Sequence, residues 1–540
     1  MNKLTKQSLS LNEIEKTKLR HNKYYLMDSD IYLTEANEAD VSLDYLCSEF
    51  SICEVIYNTD TQTFKYKLSL NTPNGTKEVT VDKSVFTSRN LESLTAKGFS
   101  FSPDKAKEVL KYALLEEANA KTIIEYTYLG FKNDYFWGFP RDEDKRCINR
   151  ARLEQSEEFD LDKLNSLLKN APMLQLAYTI SSSSAVQSFL GQTIPLSTVV
   201  YHFYGDSSQG KTTALMTTSV WGKPTVETGI FSTWNQTELS LMNLLANNHG
   251  VTIALDESSI CRFDMTSTLY NLSQGINRQR LQKNLQQQPT KEWLTTILSS
   301  GESSLLEHTN NNTGLKVRAI EFNEPVTLSA EHANKCKTFF LNNYGHTGIE
   351  IVELIDDFER QSIIDTFYEE RTKFLESVKE DDKSPLTERL ADNFAILLLT
   401  AQMLKILEYE INYKAIFKIL LKKNREIGKG YDMGRNVLNA VLDRIVSKRS
   451  LYPDSNSFFG GTNIEGLIYP SGEIILLESA FDKIVNDNRF SSKIVCLRAL
   501  ERMGILKKQR KDTYFSKRTI GKVPTKVLVL KINFNKEEIL

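Results

Sequence analysis

The chain has 540 residues, of which 40% are hydrophobic and 25% are charged. This composition is ordinary for a soluble globular protein and excludes a fibrous or largely disordered chain, and the length favours roughly two to four domains over a single core. Lysine and arginine number 67 against 69 aspartate and glutamate residues, a net charge of -2, so the whole-chain balance does not indicate a nucleic-acid-binding protein.

Residues 1–150 are predicted to form an α+β accessory domain. The amino-terminal arm lacks the apolar segment of a signal peptide and suits a solvated segment. β-Branched and aromatic residues at 50–57 and 63–70 indicate strands. A helix is predicted after Ser102, which can cap it, with Pro103 at its first position. Its apolar stripe consists of Val109, Leu110, Ala113 and Leu114.

A charged segment at 141–160, poor in apolar residues, suits a linker and places a domain boundary near residue 150. From 172 to about 407, apolar strands alternate with amphipathic helices, which predicts a largely parallel α/β sheet. Residues 151–425 are therefore expected to form one α/β domain with a helical lid. Residues 426–540 are expected to form a smaller, basic domain.

A phosphate-binding loop is predicted at 205–213. The apolar run 198–204 leads into GDSSQGKTT and then into a helical stretch, which is the strand–loop–helix order that the GxxxxGKT motif requires. The glycines let backbone amides face the phosphates, Lys211 would reach the β- and γ-phosphates, and Thr212 would place its hydroxyl on Mg²⁺. A glycine-containing turn that matches by chance is the alternative. The predicted ATP-binding residues here are Gly205, Ser207, Ser208, Gln209, Gly210, Lys211, Thr212 and Thr213.

The next apolar strand, at 251–257, ends in two carboxylates. Asp256 can hold the Mg²⁺ shell and Glu257 can polarise an attacking water, whereas a solvent-facing acidic strand end is the alternative. A third strand, from 293, ends in small hydroxyl residues. Ser299 or Ser300 could hydrogen-bond the γ-phosphate or the lytic water, and we favour Ser300.

Two arginines are further candidates for phosphate contacts. Arg318 lies just inside another short strand and could project into the nucleotide of a neighbouring subunit, although a surface salt bridge is an alternative. Arg389 opens an amphipathic helix and could be a second phosphate sensor. For Arg389 a solvated helix charge is the simpler interpretation.

Residues 476–532 are predicted to fold as two helices followed by a two-stranded wing. The apolar face of the second helix consists of Ile494, Val495, Leu497, Leu500 and Met503. Basic residues far outnumber acidic ones here, and a winged helix whose basic helix enters the major groove of DNA would account for this. A lysine-rich solvated surface is the alternative. The predicted DNA contacts are Lys493, Arg498, Arg502, Lys507 and Lys508.

The six cysteines are scattered, without a CxxC pair or a Cys/His cluster at metal-ligand spacing, which predicts a reduced, cytoplasmic setting. The most apolar run, at 394–404, is much shorter than a bilayer span. No membrane partner is expected.

Several segments together resemble the MCM-like AAA+ replicative helicases of staphylococcal mobile elements, which include the chromosome-cassette helicase Cch and the pathogenicity-island Rep proteins. The resemblance extends over roughly residues 25–400, and the GxSSxGKTT and LSSGE forms are more specific than a generic Walker motif. The segments are YHFYGDSSQGKTTALMTTSVWGKP, TWNQTELSLMNLLANNHGVTIALDE, GINRQR, ILSSGESSL and VRAIEF.

This resemblance implies an AAA+ fold, a ring of six subunits, and nucleotide at each subunit junction. It implies that Arg318 is an arginine finger given in trans. It also implies a DNA-binding pore hairpin, here Arg278, Arg280 and Lys283, for which a solvated polar loop is the alternative. Sensor 1 of the better-known MCM proteins is an asparagine, whereas this strand offers serines.

The expected fold class is therefore multidomain α/β, with an α+β amino-terminal domain, an AAA+ P-loop core and a carboxy-terminal winged helix. The expected function is an ATP-dependent DNA helicase of a mobile genetic element, a hexamer that uses ATP and Mg²⁺. It would hold single-stranded DNA in its pore and duplex or origin DNA on its winged helix. Alternatives are an origin-binding initiator that uses ATP only as a switch, and an ATPase that acts on protein.

Overall fold

The chain folds into two units in the computed structural model. One unit contains Met1–Tyr128 and Trp137–Asn149, and the other contains Leu129–Phe136 and Arg150–Leu540. The structure describes residues 7–9, 18–21, 23–36, 41–72, 74–87, 89–139, 143–276, 291–309, 313–429, 433–457, 463–488, 490, 492–506, 513–520 and 523–532.

Among its described residues, the first unit contains two five-stranded sheets and one α-helix. One sheet is antiparallel, with the strand order β1-β5-β4-β3-β2, and the other is mixed, with the order β12-β9-β6-β7-β8. The bounds are β1 (Gln7–Leu9), β2 (Lys18–His21), β3 (Tyr24–Met27), β4 (Asp30–Ala36), β5 (Val41–Ser48), β6 (Phe50–Asn58), β7 (Thr63–Thr72), β8 (Gly75–Asp82), α1 (Ala106–Glu117), β9 (Lys121–Tyr126) and β12 (Lys145–Cys147).

Helix α1 differs from the prediction in its start and in its buried face. A single 3-10 turn, Pro103–Lys105, precedes the helix, so the Ser102 hydroxyl bonds the Asp104 carboxylate (3.0 Å) and does not cap it. Val109 and Ala113 are buried as expected, but Leu114 is 61% exposed. The prediction for Leu114 was wrong because the buried stripe continues through Tyr112, which covers the core of aromatic and aliphatic side chains.

The second unit is built on a five-stranded sheet with the order β14-β16-β17-β13-β18, in which every neighbouring pair is parallel. The predicted parallel α/β sheet is thus confirmed. A separate three-stranded sheet has the order β11-β10-β15. The bounds are β10 (Leu129–Lys132), β11 (Tyr135–Trp137), β13 (Val199–Tyr204), β14 (Phe231–Thr233), β15 (Asn248–His249), β16 (Ile253–Asp256), β17 (Thr296–Gly301) and β18 (Ala319–Phe322).

Helices pack around the parallel sheet, and one of them, α3, is buried on all of its faces. In α3, every side chain at 173–190 is buried, and α3 packs against α10 and β17. The serine hydroxyls of α3 are hydrogen-bonded, as at Ser184, which donates to the Gly250 carbonyl (2.8 Å). The bounds are α2 (Leu161–Leu168), α3 (Pro172–Leu190), α4 (Lys211–Met216), α5 (Glu238–Leu245), α6 (Met265–Gln274), α7 (Ala330–Asn342), α8 (His346–Asp357), α9 (Arg360–Ser377), α10 (Thr387–Ile406) and α11 (Tyr413–Lys429).

The carboxy-terminal part of this unit has a hydrophobic core of its own, in which Val441, Phe481, Leu500 and Leu528 are buried. Its four-stranded antiparallel sheet has the order β19-β20-β22-β21. The bounds are α12 (Met433–Ser447), β19 (Gly466–Ile468), β20 (Glu473–Leu477), α13 (Glu478–Asp487), α14 (Lys493–Arg502), β21 (Phe515–Ile520) and β22 (Val523–Lys531).

The apolar face predicted for α14 was wrong in part. Leu497 and Leu500 are buried, but Ile494 is 46% exposed, and Val495 and Met503 are also exposed. The reason is that Cys496 and Ala499, rather than these three residues, complete the buried face of α14. No helix in the described part of the chain combines the length and apolarity that crossing a membrane requires.

Candidate functional site

The loop after β13 has a backbone that only glycine adopts easily at two positions. Gly205 has φ 132° and Gly210 has φ 84°. A Cβ on Gly210 would also lie 2.7 Å from the Thr327 hydroxyl oxygen. The loop therefore keeps its curvature because both positions lack a side chain.

Lys211, the first residue of α4, lies across this loop. Its Nζ donates to the carbonyl oxygens of Gly205 (2.5 Å) and Asp206 (3.0 Å). The ammonium group is thus held at the concave side of the loop, where a phosphate-binding loop needs its cation.

Asp256 and Glu257 occupy the carboxyl end of β16. The Asp256 carboxylate accepts hydrogen bonds from the Ser300 hydroxyl and from the Glu257 backbone N–H (3.1 Å). Glu257 is exposed and has φ 61° and ψ 66°, a left-handed conformation that is uncommon for a residue with a side chain. Such strained backbones cluster at functional sites, where the surrounding structure maintains them.

The two serines of β17 point to opposite sides of the strand. Ser300 bonds Asp256, whereas the Ser299 hydroxyl lies in a buried network with His202 Nδ1 (2.9 Å) and Trp234 Nε1 (3.0 Å). The second ring nitrogen of His202, Nε2, lies 3.0 Å from the Ser303 carbonyl oxygen. Of the two candidates, Ser300 is the one placed with the carboxylates.

The direction of this buried network follows from its donors and acceptors. The Ser303 carbonyl can only accept, so His202 carries its proton on Nε2. The Ser299 oxygen accepts from the Trp234 indole N–H and shares a second hydrogen bond with His202 Nδ1. His202 thus ties β13, β17 and the segment after β17 together, next to the serine that bonds Asp256.

These elements enclose a cavity of about 280 Å³ at the carboxyl ends of β13, β16 and β17. Of the predicted nucleotide residues, Gly205, Gln209 and Thr213 belong to the same loop and helix but do not line the cavity, and Thr213 is buried. The predicted residues that line it are Ser207, Ser208, Gly210, Lys211, Thr212, Asp256, Glu257 and Ser300.

Sequence reasoning missed almost half of the cavity lining. Part of it follows the predicted motifs directly, and part comes from α7, which begins more than a hundred residues after the phosphate-binding loop. The helical spacing of the α7 residues could have been noticed, but nothing in the sequence indicates which side of that helix faces the loop. The missed residues are Ser259, Gly301, Glu302, Ala330, Ala333, Asn334 and Lys337.

Arg318 and Arg389 do not line this cavity. The Arg318 guanidinium lies over the Tyr270 ring, 4.7 Å from its centroid, and Nη1 donates to the Gly314 carbonyl (2.6 Å). Its buried Nε has no hydrogen-bond partner among the described residues. Burial and the neighbouring positive charge of Arg389 lower the pKa of Arg318. Arg389 is exposed in the first turn of α10.

Thr212 and Asp256 are the predicted magnesium ligands, and both line the cavity. No group of three or more His, Cys, Asp or Glu side chains suited to a metal ion occurs in the described residues. The donors that Thr212 and Asp256 offer are oxygens, the ligand type that Mg²⁺ takes, usually from one or two side chains together with substrate phosphates and water.

The predicted DNA contacts have three outcomes. Arg498 and Arg502 are exposed on α14. Lys493, also a predicted DNA contact, is half-buried and bonds two carboxylates of α13, those of Glu478 (2.8 Å) and Asp482 (2.7 Å). Although burial lowers the pKa of Lys493, the bonds to these two carboxylates raise it overall. Outside the described residues lie Arg278, Arg280, Lys283, Lys507 and Lys508.

Comparison with known proteins shows the fold. The family described as a domain of unknown function, DUF927, matches residues 26–291. No curated protein matches the chain. The chain is similar to a solved structure, SCCmec type IV Cch, an active helicase, with a TM-score of 0.75 and 22% sequence identity. The match covers 96% of this chain and 99% of that one, so the two proteins share their fold over nearly their whole length.

Proposed function

We propose that this protein is an ATP-dependent DNA helicase. One observation carries the proposal: Lys211, Asp256, Glu257 and Ser300 meet in one cavity at the carboxyl ends of parallel strands. This is where open α/β sheets bind their ligands, and the residue types are those that phosphoryl transfer to water requires. The similar structure is named as an active helicase, which supports the use of the hydrolysis energy on nucleic acid.

In this proposal each residue has a separate chemical task. The loop amides and Lys211 bind the phosphates, and Glu257 orients and deprotonates the attacking water. Thr212 and Asp256 would hold Mg²⁺, which supplies neutralisation of the phosphate charge when bound. Ser300 keeps the Asp256 carboxylate oriented through its hydroxyl.

We infer an AAA+ core because the phosphate-binding loop follows a strand of a five-stranded parallel sheet, as the sequence resemblance implies, and we infer a ring from the position of the two arginines. Arg318 and Arg389 do not line the cavity of their own subunit, and a guanidinium suits a contact with the phosphates of a neighbouring subunit. We propose that six subunits form this ring, with Arg318 as the arginine finger and Arg389 as a second sensor, both acting in trans.

The carboxy-terminal part supports a winged helix that binds DNA. Its order, α12, β19, β20, α13, α14, β21 and β22, places a helix pair before a two-stranded antiparallel wing. Arg498 and Arg502 are exposed on the second helix of the pair, where they can meet phosphates or base edges. We propose that this part engages duplex or origin DNA and that the protein replicates a mobile genetic element.

Strand displacement on forked DNA tests the proposal. Wild type should separate the strands when ATP and Mg²⁺ are present, and Lys211→Ala should lose at least about 100-fold in both hydrolysis and unwinding because a preorganised cation is removed. Circular dichroism should show that the variant is folded. Equal unwinding by the two proteins would overturn the proposal, and so would an absence of unwinding by wild type.

A further inference from the structure

One face of α7 forms a wall of the nucleotide cavity. Ala330, Ala333, Asn334 and Lys337 line the cavity, and their spacing of three, four and seven residues is that of a single helix face. No phosphate-binding motif includes any of these residues. The wall is therefore a feature of the tertiary structure and not of the Walker sequences.

The segment before α7 is fixed against the phosphate-binding loop. The backbone N–H of Val326 donates to the Gln209 carbonyl (2.8 Å), and Thr327 packs directly on Gly210. The Ser329 hydroxyl then caps α7 by accepting from the His332 N–H (3.1 Å). Because these contacts set the start and direction of the helix, the α7 wall has a defined position relative to the loop.

Lys337 is the one cation on this wall. It is half-buried and has no carboxylate partner in the described part of the chain. Lys335, two residues earlier, instead bonds Glu331 (2.7 Å) and does not line the cavity. The small side chains of Ala330 and Ala333 leave open space on the same wall.

The charges that line the cavity indicate a role for Lys337 in binding an anion. Its described lining contains three carboxylates, those of Asp256, Glu257 and Glu302, and only two ammonium groups, those of Lys211 and Lys337. A polyphosphate entering this site is repelled by the carboxylates, so each cation matters for its affinity.

We propose that Lys337 is a second nucleotide-binding cation, which contacts the phosphates of the bound nucleotide from the α7 wall. The inference rests on the proposed nucleotide site and adds a phosphate ligand that lies outside the Walker motifs. Lys337 acts within its own subunit, unlike the two arginines proposed to act on a neighbour.

The test compares Lys337→Met with Lys335→Met as a matched control on the same helix. Fluorescence titration with labelled ATP and labelled GTP measures the dissociation constants. Lys337→Met should weaken the binding of both nucleotides by roughly 10- to 100-fold, because a charge-assisted hydrogen bond is lost and the phosphates are common to both. Lys335→Met should bind like wild type, and Lys337→Arg should retain affinity within a few-fold of wild type.

Two results would overturn this inference. The first is equal affinity of Lys337→Met and wild type for ATP. The second is a loss for ATP alone, which would assign Lys337 to the base and not to the phosphates. If wild type itself binds neither nucleotide, the proposed nucleotide site fails, a separate outcome that the titration of wild type identifies first.

Discussion

The backbone of Glu257 shows how a single residue organises the candidate site. Its left-handed conformation turns the chain directly after β16, at a cost on the order of 1–3 kcal/mol for a non-glycine residue. Its N–H lies 3.1 Å from Asp256 Oδ1 and 3.3 Å from Ser300 Oγ, so the same amide group joins the two other key side chains. The strain is thus compensated inside the site, and the Glu257 side chain remains exposed toward the cavity.

We expect Glu257→Gln to lower single-turnover ATP hydrolysis by roughly 10²- to 10⁴-fold, because an amide cannot take the proton of the attacking water. ATP binding should stay within a few-fold of wild type, since the side-chain shape is kept. Rapid-quench measurement of hydrolysis checks this. Glu302→Gln is the matched control, as Glu302 lines the same cavity. A larger loss in that control would make Glu302 the base.

The sequence predicts some site residues well and others not at all, for physical reasons. The residues of the predicted phosphate-binding loop lie next to one another in the chain, so their spacing alone predicts that Lys211 and Thr212 line one cavity. The sequence does not determine which of Ser299 and Ser300 lies next to the carboxylates. The face of the sheet toward which each side chain points depends on how this strand is placed among its neighbours. The position of Lys337 at the cavity depends on how α7 packs, and this helix begins more than a hundred residues after the phosphate-binding loop.

Among the secondary-structure elements, α14 shows the same limit. Its helical period was predictable, but the direction of its apolar face was not, since Ile494 and Val495 are as apolar as the residues that are buried. The helical period likewise places Lys493 on the polar face of α14, but the structure shows it paired with Glu478 and Asp482 of α13. The contacts between neighbouring elements, rather than the elements themselves, decide these cases.

A buried ion-pair network joins the elements of the carboxy-terminal core. The Glu465 carboxylate accepts from Arg444 Nε (2.8 Å) and Nη2 (2.9 Å), from Lys483 (3.1 Å) and from the Tyr452 hydroxyl (3.1 Å). Hydrogen bonds from Arg444 are the main reason that the pKa of Glu465 is lowered to about 2. Burial opposes this shift, with an effect smaller than that of Arg444, and the bonds from Lys483 and Tyr452 lower the pKa further.

This network makes the stability of the carboxy-terminal core pH-dependent. A carboxylate whose pKa is lower in the folded state stabilises that state above its unfolded pKa of about 4.3, and the contribution is lost as the pH falls toward 2. Amide hydrogen exchange of peptides within 433–532, corrected for intrinsic exchange rates, should therefore show falling protection over this range.

The Glu465→Gln variant should lose about 1–3 kcal/mol of local stability at neutral pH and much of the acid dependence, because the neutral amide pairs poorly with Arg444. Glu473→Gln is the control, since Glu473 makes only a longer, more exposed contact with Lys531 (3.6 Å). Unchanged protection in Glu465→Gln across this pH range would contradict the assignment.

For the molecule as a whole, the separation of Arg318 from its own cavity predicts active sites that are shared between subunits. Lys211→Ala and Arg318→Ala should each be inactive alone. Mixed together they should regain ATPase activity, because about one junction in four in a randomly mixed ring would combine an intact Lys211 with an intact Arg318 from the neighbour. Steady-state ATPase assays across mixing ratios check this.

The control mixture combines Lys211→Ala with Glu257→Gln. Both of these substitutions damage the same side of the junction, so no junction is complete and no activity should return. Recovery in the control, or none in the Lys211→Ala and Arg318→Ala mixture, would show that Arg318 does not act in trans.

The path of the chain between the two units has a practical consequence for dissecting this protein. Residues 129–136 belong to the second unit, although the chain afterwards returns to the first one for 137–149. Leu129 and Gly130 pair with Asn248 and His249 of that second unit. A fragment that starts at 150 would lose this strand and leave backbone amide and carbonyl groups at 248–249 unsatisfied, so the second unit cannot be excised there without damage to its own sheet.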